Sequence, residues 1–133
     1  ATAAQYADLA ERYATDTPVE TGEVVSLGGK EEITKCMDDK SDAVFGVVSD
    51  HPAYLMNAEA GNNDTHPAIA LKGRVPVKVT GKGSAGDRIV SGSYGTARVA
   101  QPGEATTFNT LGRLIKDKYN EDTALTECVI GVK

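Results

Sequence analysis

Three neighbouring residues carry the side-chain types of a serine hydrolase. Ser49, Asp50 and His51 follow the apolar run of residues 44–48 and precede Pro52. Adjacent residues of an extended chain point to opposite faces, so Asp50 faces away from the other two. A catalytic triad needs its side chains within hydrogen-bond reach of each other, and separated segments usually supply them. We therefore interpret this stretch as a buried strand that ends in a turn, where Ser49 and Asp50 bond to the nearby backbone.

The segment "GKGSAG" offers a second kind of chemistry, the binding of a dinucleotide. Its glycines, Gly81, Gly83 and Gly86, match the spacing G-x-G-x-x-G. A dinucleotide site needs a helix to begin at this loop, so that the helix N-terminus can hold the pyrophosphate. The residues that follow, "DRIVSG", predict a strand instead. We expect a glycine-rich hairpin in which Asp87 caps the turn, and no bound cofactor.

Residues that could bind a metal are present but poorly spaced. His51, His66 and Asp64 show no H-x-x-x-H pattern, and Cys36 and Cys128 belong to no C-x-x-C motif. His66 precedes a proline in a polar loop, so it is expected to be solvated. The two cysteines are expected to be buried free thiols rather than a disulfide. The sequence therefore predicts no metal site.

Length and composition indicate one main folding unit. The chain has 133 residues with 40% hydrophobic residues, 5% aromatic residues and 14 glycines. This favours short, valine-rich strands and tight turns. The net charge of −5 and the scattered basic residues argue against nucleic-acid binding. No stretch is long and apolar enough to insert into a membrane. The chain begins at Ala1 without a methionine, and we expect a fragment of a longer protein.

The pattern along the chain predicts a mainly β fold. We expect a compact barrel or sandwich of short strands, with a short N-terminal helix and a second short helix near the C-terminus. The first helix is predicted over residues 3–16, where apolar side chains recur at helical spacing, and the second over "NTLGRLIKDKY". Gly73 predicts a bend or bulge, and Pro76 restricts that position of the chain to an edge or a bulge. The predicted division is residues 1–17, a helix that joins a shaft, and residues 18–133, a single β-rich domain.

Several longer segments, in this order and spacing, resemble a known family. They are "QYADLAERY", "TGEVVSLGG", "VFGVVSDHPAYLMN", "PAIALKGRVPVKVTG", "GDRIVSGSYGTARVA" and "LGRLIKDK". Together they resemble a domain at or near the C-terminus of fibre and other virion proteins of tailed bacteriophages. The resemblance covers nearly the whole chain.

The same layout is distantly similar to the autoproteolytic intramolecular chaperone domain of phage appendage proteins. Such domains begin near D-Y-A-E, and the chain is cut between a serine and the first aspartate. Here Gln5 stands at the aspartate position and Ala4 at the serine position. The remaining candidate acids are Asp8 and Glu11. We therefore expect a structural module that is not an enzyme.

The resemblance implies a homotrimer on the virion, attached to an upstream fibre shaft as the terminal domain of a tail or head fibre. Host attachment through a surface glycan is expected to use loops. A self-cleaving chaperone and a capsid decoration protein stay open as alternatives. The expected oligomer interface comprises Tyr6, Leu9, Ala10 and Tyr13, and the expected receptor-facing residues are Asn62, Asn63, Asp64 and Tyr94.

Overall fold

The computed structural model describes residues 5–133, and this part of the chain forms strands, turns and loops without a helix. The strands are β1 (Ala7–Arg12), β2 (Val24–Leu27), β3 (Ile33–Lys35), β4 (Val44–Val48), β5 (Tyr54–Met56), β6 (Ala68–Val79), β7 (Arg88–Ser91), β8 (Ala97–Val99), β9 (Thr110–Leu114) and β10 (Ala124–Ile130). The longest of them, β6, takes part in both halves of the fold.

The C-terminal half of β6 belongs to a closed barrel of five strands. Going around the barrel, β6 pairs with β10, β10 with β9, β9 with β7, and β7 with β8. The barrel closes where β8 meets β6 in parallel orientation, at Val79 and Ala97. The N–H of Thr80 also donates to the carbonyl oxygen of Ala97 over 2.9 Å. Closure removes the exposed edges of these five strands.

The N-terminal half of β6 carries the remaining five strands. Ile69 and Ala70 each have a partner in both β1 and β4. This half of β6 therefore pairs with β4 on one edge and with β1 on the other. From β4 the sheet continues to β2 and then β3. From β1 it continues to β5, whose other edge has no strand partner among the described residues.

Two hydrophobic cores lie on the two faces of β2 and β4. The main core lies inside the barrel and extends under the outer strands to Val24 and Val47. The second core contains Val25 and Val48, the next residue along each strand, together with Ile33 and Ile69. Successive residues of a strand face opposite sides. The predicted central strand at residues 44–48 is confirmed, and its unbroken apolar run is explained by a core on each side.

β6 contains a bulge near its middle. Leu9 pairs with Lys72 but the next residue, Ala10, pairs with Ala70, so Leu71 is the extra residue. Gly73 follows with φ of +111°, a conformation that L side chains rarely adopt. A Cβ at this position would also overlap the carbonyl oxygen of Ala7. The predicted irregularity at Gly73 is thus confirmed, and its cause is the close approach of β1.

The predicted N-terminal helix is wrong, because residues 7–12 form β1. Along this strand Asp8 and Ala10 are buried while Ala7 and Leu9 are exposed, which is a period of two. Pairing with β5 and β6 supplies backbone partners on both edges. Helix propensity is a weak preference that such tertiary pairing overrides. Leu9 lies on the exposed face of β1. Its apolar side chain at that position completed the spacing that resembled a helix.

The predicted C-terminal helix is also wrong, because residues 110–114 form β9. Leu111 and Leu114 are both buried in the main core. Between them, Gly112 lies against β10, where a Cβ would overlap the carbonyl oxygen of Val129. A glycine in a helix interior costs about 1 kcal/mol relative to alanine, so Gly112 was a signal against a helix. The fold class is therefore corrected to an all-β domain over the described residues.

We predict that Gly73→Ala destabilises the protein more than Gly28→Ala does. Both glycines have φ near +110°, but nothing lies within 4 Å of a Cβ at Gly28. Gly28→Ala is the control. It should lose only the stability that it costs to place an alanine in this backbone conformation, about 1–2 kcal/mol. Gly73→Ala should lose roughly a further 1–3 kcal/mol, since β1 must move. Urea unfolding measures both values, and equal losses would show that the contact with β1 is unimportant.

Candidate functional site

Strand β1 and the turn after β4 meet in the structure. The ring of Tyr6 packs edge-on against that of His51, with centroids 5.6 Å apart. Asp8 Oδ1 accepts a hydrogen bond from the N–H of Ala53 over 3.3 Å. Asp50 Oδ2 lies 3.2 Å from His51 Nδ1. We call these five residues the N-terminal cluster. Burial, followed by the charges of Asp50 and Asp8, raises the pKa of the Tyr6 phenol, so that it stays neutral.

The carboxyl group of Asp8 is the most deeply buried acid of this cluster. Asp8 is 2% exposed, and its Oδ2 is buried without a hydrogen-bond partner. A buried polar atom without a hydrogen-bond partner is unfavourable. Asp8 therefore costs stability in the fold as described.

The geometry around Ser49 does not assemble a hydrolase. Ser49 Oγ is buried and has no hydrogen-bond partner, so it makes no bond to His51. The side chain of His51 is 75% exposed and lies against Asp50. A nucleophile must be within hydrogen-bond reach of its base. The interpretation of this stretch as a strand end is confirmed, but the expected bond from the Ser49 side chain to the backbone is wrong.

The two candidate acids of β1 do not act as a pair. Asp8 and Glu11 are three residues apart, and in a strand such residues point to opposite faces. Glu11 Oε1 accepts a hydrogen bond from the hydroxyl of Tyr13 over 2.7 Å. Burial and this hydrogen bond raise the pKa of Tyr13 to about 12. Tyr13 in turn packs edge-on against Phe45, with ring centroids 5.1 Å apart.

The expected interface residues are distributed between core and surface. Ala10 is fully buried, while Tyr6 and Tyr13 are half-buried and pack against the main and second cores, respectively. Leu9 is 38% exposed, and its neighbour on β5, Tyr54, is 65% exposed. The surface that β1 offers to a partner is thus the pair Leu9 and Tyr54, which we call the β1–β5 patch.

The loop of residues 57–66, which carries the expected receptor-facing residues Asn62, Asn63 and Asp64, is fixed by one arginine. Arg12 Nη1 donates to Asn63 Oδ1 over 2.8 Å and to the carbonyl oxygen of His66 over 2.7 Å. Its Nε donates to the carbonyl oxygen of Ala58 over 3.1 Å. Asn62 Oδ1 accepts the N–H groups of residues 64 and 65, which closes the turn. The amides of Asn62 and Asn63 therefore support the loop, while Asp64 is exposed.

The turn that carries Tyr94 combines exposure with an unusual backbone. Tyr94 is 70% exposed and has φ of +56°, which is uncommon for an aromatic residue. The turn is held from below, because the N–H of Gly95 donates to the carbonyl oxygen of Cys36 over 2.7 Å and its own carbonyl accepts the N–H of Val24 over 2.8 Å. Tyr94 is thus presented on a fixed support.

The remaining candidates behave as structural residues. Asp87 Oδ2 accepts the N–H of Ser84 over 2.9 Å, and β7 follows, which confirms the predicted cap and excludes a helix at the glycine-rich loop. Cys36 and Cys128 are buried and free, as predicted. Burial and the neighbouring Glu127 raise the pKa of the Cys128 thiol to about 12. Residues 5–133 contain no group of three metal-ligating side chains, and no helix in them is long and apolar enough to cross a membrane.

An ion-pair network holds the loop "QPGEATTF". Arg98 forms paired hydrogen bonds with both oxygens of Asp39, at 2.8 and 3.0 Å, and of Glu104, at 2.8 and 3.1 Å. Lys40 Nζ lies 3.4 Å from Glu104 Oε2. The hydrogen bonds from Arg98 and from the backbone N–H of Gln101 lower the pKa of Glu104 to about 2. Such bidentate pairs fix geometry as well as charge.

The sequence did not reveal two residues, Arg12 and Lys118, whose side chains bond to residues far away along the chain. Arg12 bonds to residues 46 to 54 positions away, and the Lys118 side chain bonds to Gly81, 37 positions away. Neither has a local motif. Both lie in segments that were predicted to be helical or adjacent to a helix, where a charged side chain is expected to face solvent.

These features define a five-stranded barrel that shares its longest strand with an outer sheet. The same fold is found in a solved structure, the C-terminal fragment of gene product 12 of bacteriophage phi29, with a TM-score of 0.65 and 14% identity. The similarity covers 95% of this chain and 100% of that chain. No family model and no curated protein matches the sequence. The comparison shows that the two chains share a fold.

We predict that Asp8→Asn leaves the free energy of unfolding at pH 7 unchanged or raises it. The amide keeps an acceptor for the N–H of Ala53 and, unlike a carboxyl group, carries no charge at any pH. Asp8→Ala is the matched control, because it also removes the acceptor and should cost about 1 kcal/mol relative to Asp8→Asn. Urea unfolding compares the three proteins. A strong loss of stability in Asp8→Asn would show that the charge itself is needed.

We predict that the Arg98 network loses its stabilising effect in acid. The pKa of Glu104 is lowered from 4.5 to about 2, so its contribution is complete above pH 4.5 and disappears as the pH falls toward 2. Glu104→Gln should therefore destabilise the protein at pH 7 and have little effect near pH 2. Urea midpoints across this range test it, with the exposed Glu59→Gln as control. A constant difference between Glu104→Gln and wild type would contradict the prediction.

Proposed function

We propose that this domain is a structural component of a bacteriophage virion and forms the terminal domain of a trimeric tail or head fibre. The observation that carries the proposal is the shared fold with a C-terminal fragment of a bacteriophage protein, which extends over 95% of this chain. The family resemblance of the sequence supports the same assignment. In this role the domain registers three chains at the end of a shaft and contributes a surface for host attachment.

The geometry of the candidate acids supports a role without catalysis. Ser49 Oγ makes no hydrogen bond to His51, and Glu11 is bonded to Tyr13. Asp8 and Glu11 face opposite sides of β1, so they do not converge on one peptide bond. In this proposal the domain is a non-enzymatic module, and Asp8 is a buried structural residue.

The β1–β5 patch supports association between copies of the chain. Leu9 and Tyr54 are apolar neighbours on adjacent strands, and β5 has a free edge among the described strands. Exposed sheet edges readily pair with another chain. In a closed trimer the patch of each copy would contact a different surface of the next copy, and this arrangement buries all three patches.

Host attachment is assigned to the surface loops. Asp64 and Tyr94 are exposed on turns whose backbones are held by hydrogen bonds. Binding residues commonly lie on loops that a rigid scaffold positions. Their chemistry suits the hydroxyl groups and C–H faces of a surface glycan.

A self-cleaving chaperone is the second candidate, and the unpartnered Oδ2 of the buried Asp8 favours it. An acid of this kind, near the described start of the chain, could act on an adjacent peptide bond. In that case the parent protein should yield a C-terminal fragment beginning near Gln5, and Asp8→Asn should abolish it. Mass spectrometry of purified particles distinguishes the two functions, because a structural domain leaves the parent chain intact.

We predict that the domain sediments as a trimer and that Leu9→Asp or Tyr54→Asp shifts it toward monomer. A charge in the β1–β5 patch would be buried without a partner in the trimer. Leu27→Asp, at an exposed leucine outside this patch, is the control and should remain trimeric. Analytical ultracentrifugation over a wide concentration range measures this, and a wild-type monomer at high concentration would contradict it. Antibody labelling of particles in electron microscopy then separates a fibre from a capsid decoration protein.

A further inference from the structure

Tyr119 is a large aromatic side chain that the fold leaves almost entirely uncovered. It is 81% exposed and lies in the segment between β9 and β10. Exposed aromatic rings of this kind offer an apolar face beside a polar hydroxyl, which is typical of binding surfaces. The chain is poor in aromatic residues, so the position of this one is informative.

The residue before Tyr119 is fixed by its backbone and its side chain. Lys118 and Gly83 exchange two backbone hydrogen bonds, at 2.8 and 3.0 Å. The Lys118 side chain is buried, and its Nζ donates to the carbonyl oxygens of Gly81 and Asn120, both at 2.8 Å, and of Asp122. It also donates to Asn120 Oδ1 over 3.3 Å, and every one of these acceptors is a neutral group. The buried ammonium therefore ties the two loops together beneath Tyr119.

The ring of Tyr119 is also restrained at its outer end. Its hydroxyl donates to Asp117 Oδ2 over 3.2 Å. Asp117 Oδ1 accepts the N–H of Ala85 over 2.7 Å, which fixes the carboxylate to the opposite loop. This hydrogen bond favours one orientation of the exposed ring, which reduces the side-chain entropy that is lost on binding.

Two shallow depressions adjoin this ring. One has a volume of about 420 Å³ and includes Lys82 and Ser84; the other, of about 410 Å³, includes Lys116, Asn120 and Glu127. Both are lined by Asp117, Lys118 and Tyr119. Hydroxyl, amide, carboxylate and ammonium groups therefore surround a single aromatic face.

We propose that Tyr119 is the stacking platform of a saccharide-binding site, in which an oligosaccharide crosses the ring and places sugar units in both depressions. The C–H face of a pyranose packs on the tyrosine ring, and its hydroxyls bond to the polar groups of Ser84, Lys82 and Asn120. The lining combines an exposed aromatic ring and the apolar Leu125 with a few hydrogen-bonding side chains, which is the composition of a small-ligand site. This inference deepens the proposed role in attachment and rests on it.

The test uses three oligosaccharides, cellohexaose, maltohexaose and N-acetylchitohexaose, titrated into the isotope-labelled domain and followed by NMR. At least one should shift the resonances of residues 82–85 and 116–120. Tyr119→Ala should weaken that binding about tenfold, and Tyr119→Phe only about threefold, because the ring remains. Phe108→Ala is the matched control, since Phe108 is a comparably exposed aromatic residue on a different loop. It should bind as wild type does.

Several results would overturn the assignment. They are the absence of shifts with all three oligosaccharides at about 10 mM, shifts confined to residues 62–64 and 94, or equal losses in Tyr119→Ala and Phe108→Ala. Shifts at residues 62–64 and 94 would remove the Tyr119 site while keeping attachment through the other loops. The oligomeric state from ultracentrifugation is independent of all three results, so failure of the saccharide site is distinguishable from failure of the fibre assignment.

Discussion

The bulge in β6 is the constraint on which both halves of the fold depend. Ala70 and Val75 both face the main core, although five residues separate them and strict alternation would place them on opposite faces. The extra residue at the bulge, Leu71, restores the alternation, and Gly73 accommodates the resulting backbone where β1 approaches closely. One strand can therefore line the barrel and the outer sheet with a continuous inner face. Without the bulge, either Val75, Val77 and Val79 or Ala70 would turn away from the core.

Around this frame, long cationic side chains fix the loops. Arg12 holds the loop of residues 57–66, Arg98 holds Glu104 against Asp39, and Lys118 joins Gly81 to the turn before β10. Each one bonds to carbonyl or carboxylate oxygens far away in sequence. The chain has few aromatic residues to cover its loops, and hydrogen bonds from these cations replace that packing. The loops are consequently ordered by polar contacts rather than by small local cores.

The sequence predicted the parts of the fold that follow from local rules. The strand at residues 44–48, the cap by Asp87 and the irregularity at Gly73 each depend on a neighbouring pattern of residues. Pro76 lies where its edge of β6 has no hydrogen-bond partner, as predicted. On that edge the pairing with β1 ends at Arg74, and the next hydrogen bond is donated by Lys78. The N-terminal helix was predicted wrongly, because Leu9 at an exposed strand position completed an apparent helical stripe. Contacts such as Tyr6 with His51 depend on topology, which no local pattern in this sequence specified.

The rigidity of the surface loops affects how the domain can bind a partner. Tyr94 adopts a left-handed backbone, and Asp8 keeps a buried oxygen without a partner; both features cost stability. The fold tolerates these costs because two cores share one bent strand and the barrel is closed. A surface whose loops are already fixed loses little conformational entropy when it binds. In the proposed trimer, three copies would present such a surface together, and linked sites bind with a high effective concentration. If the domain attaches to a host as proposed, its affinity would then come from the number of copies rather than from a deep pocket.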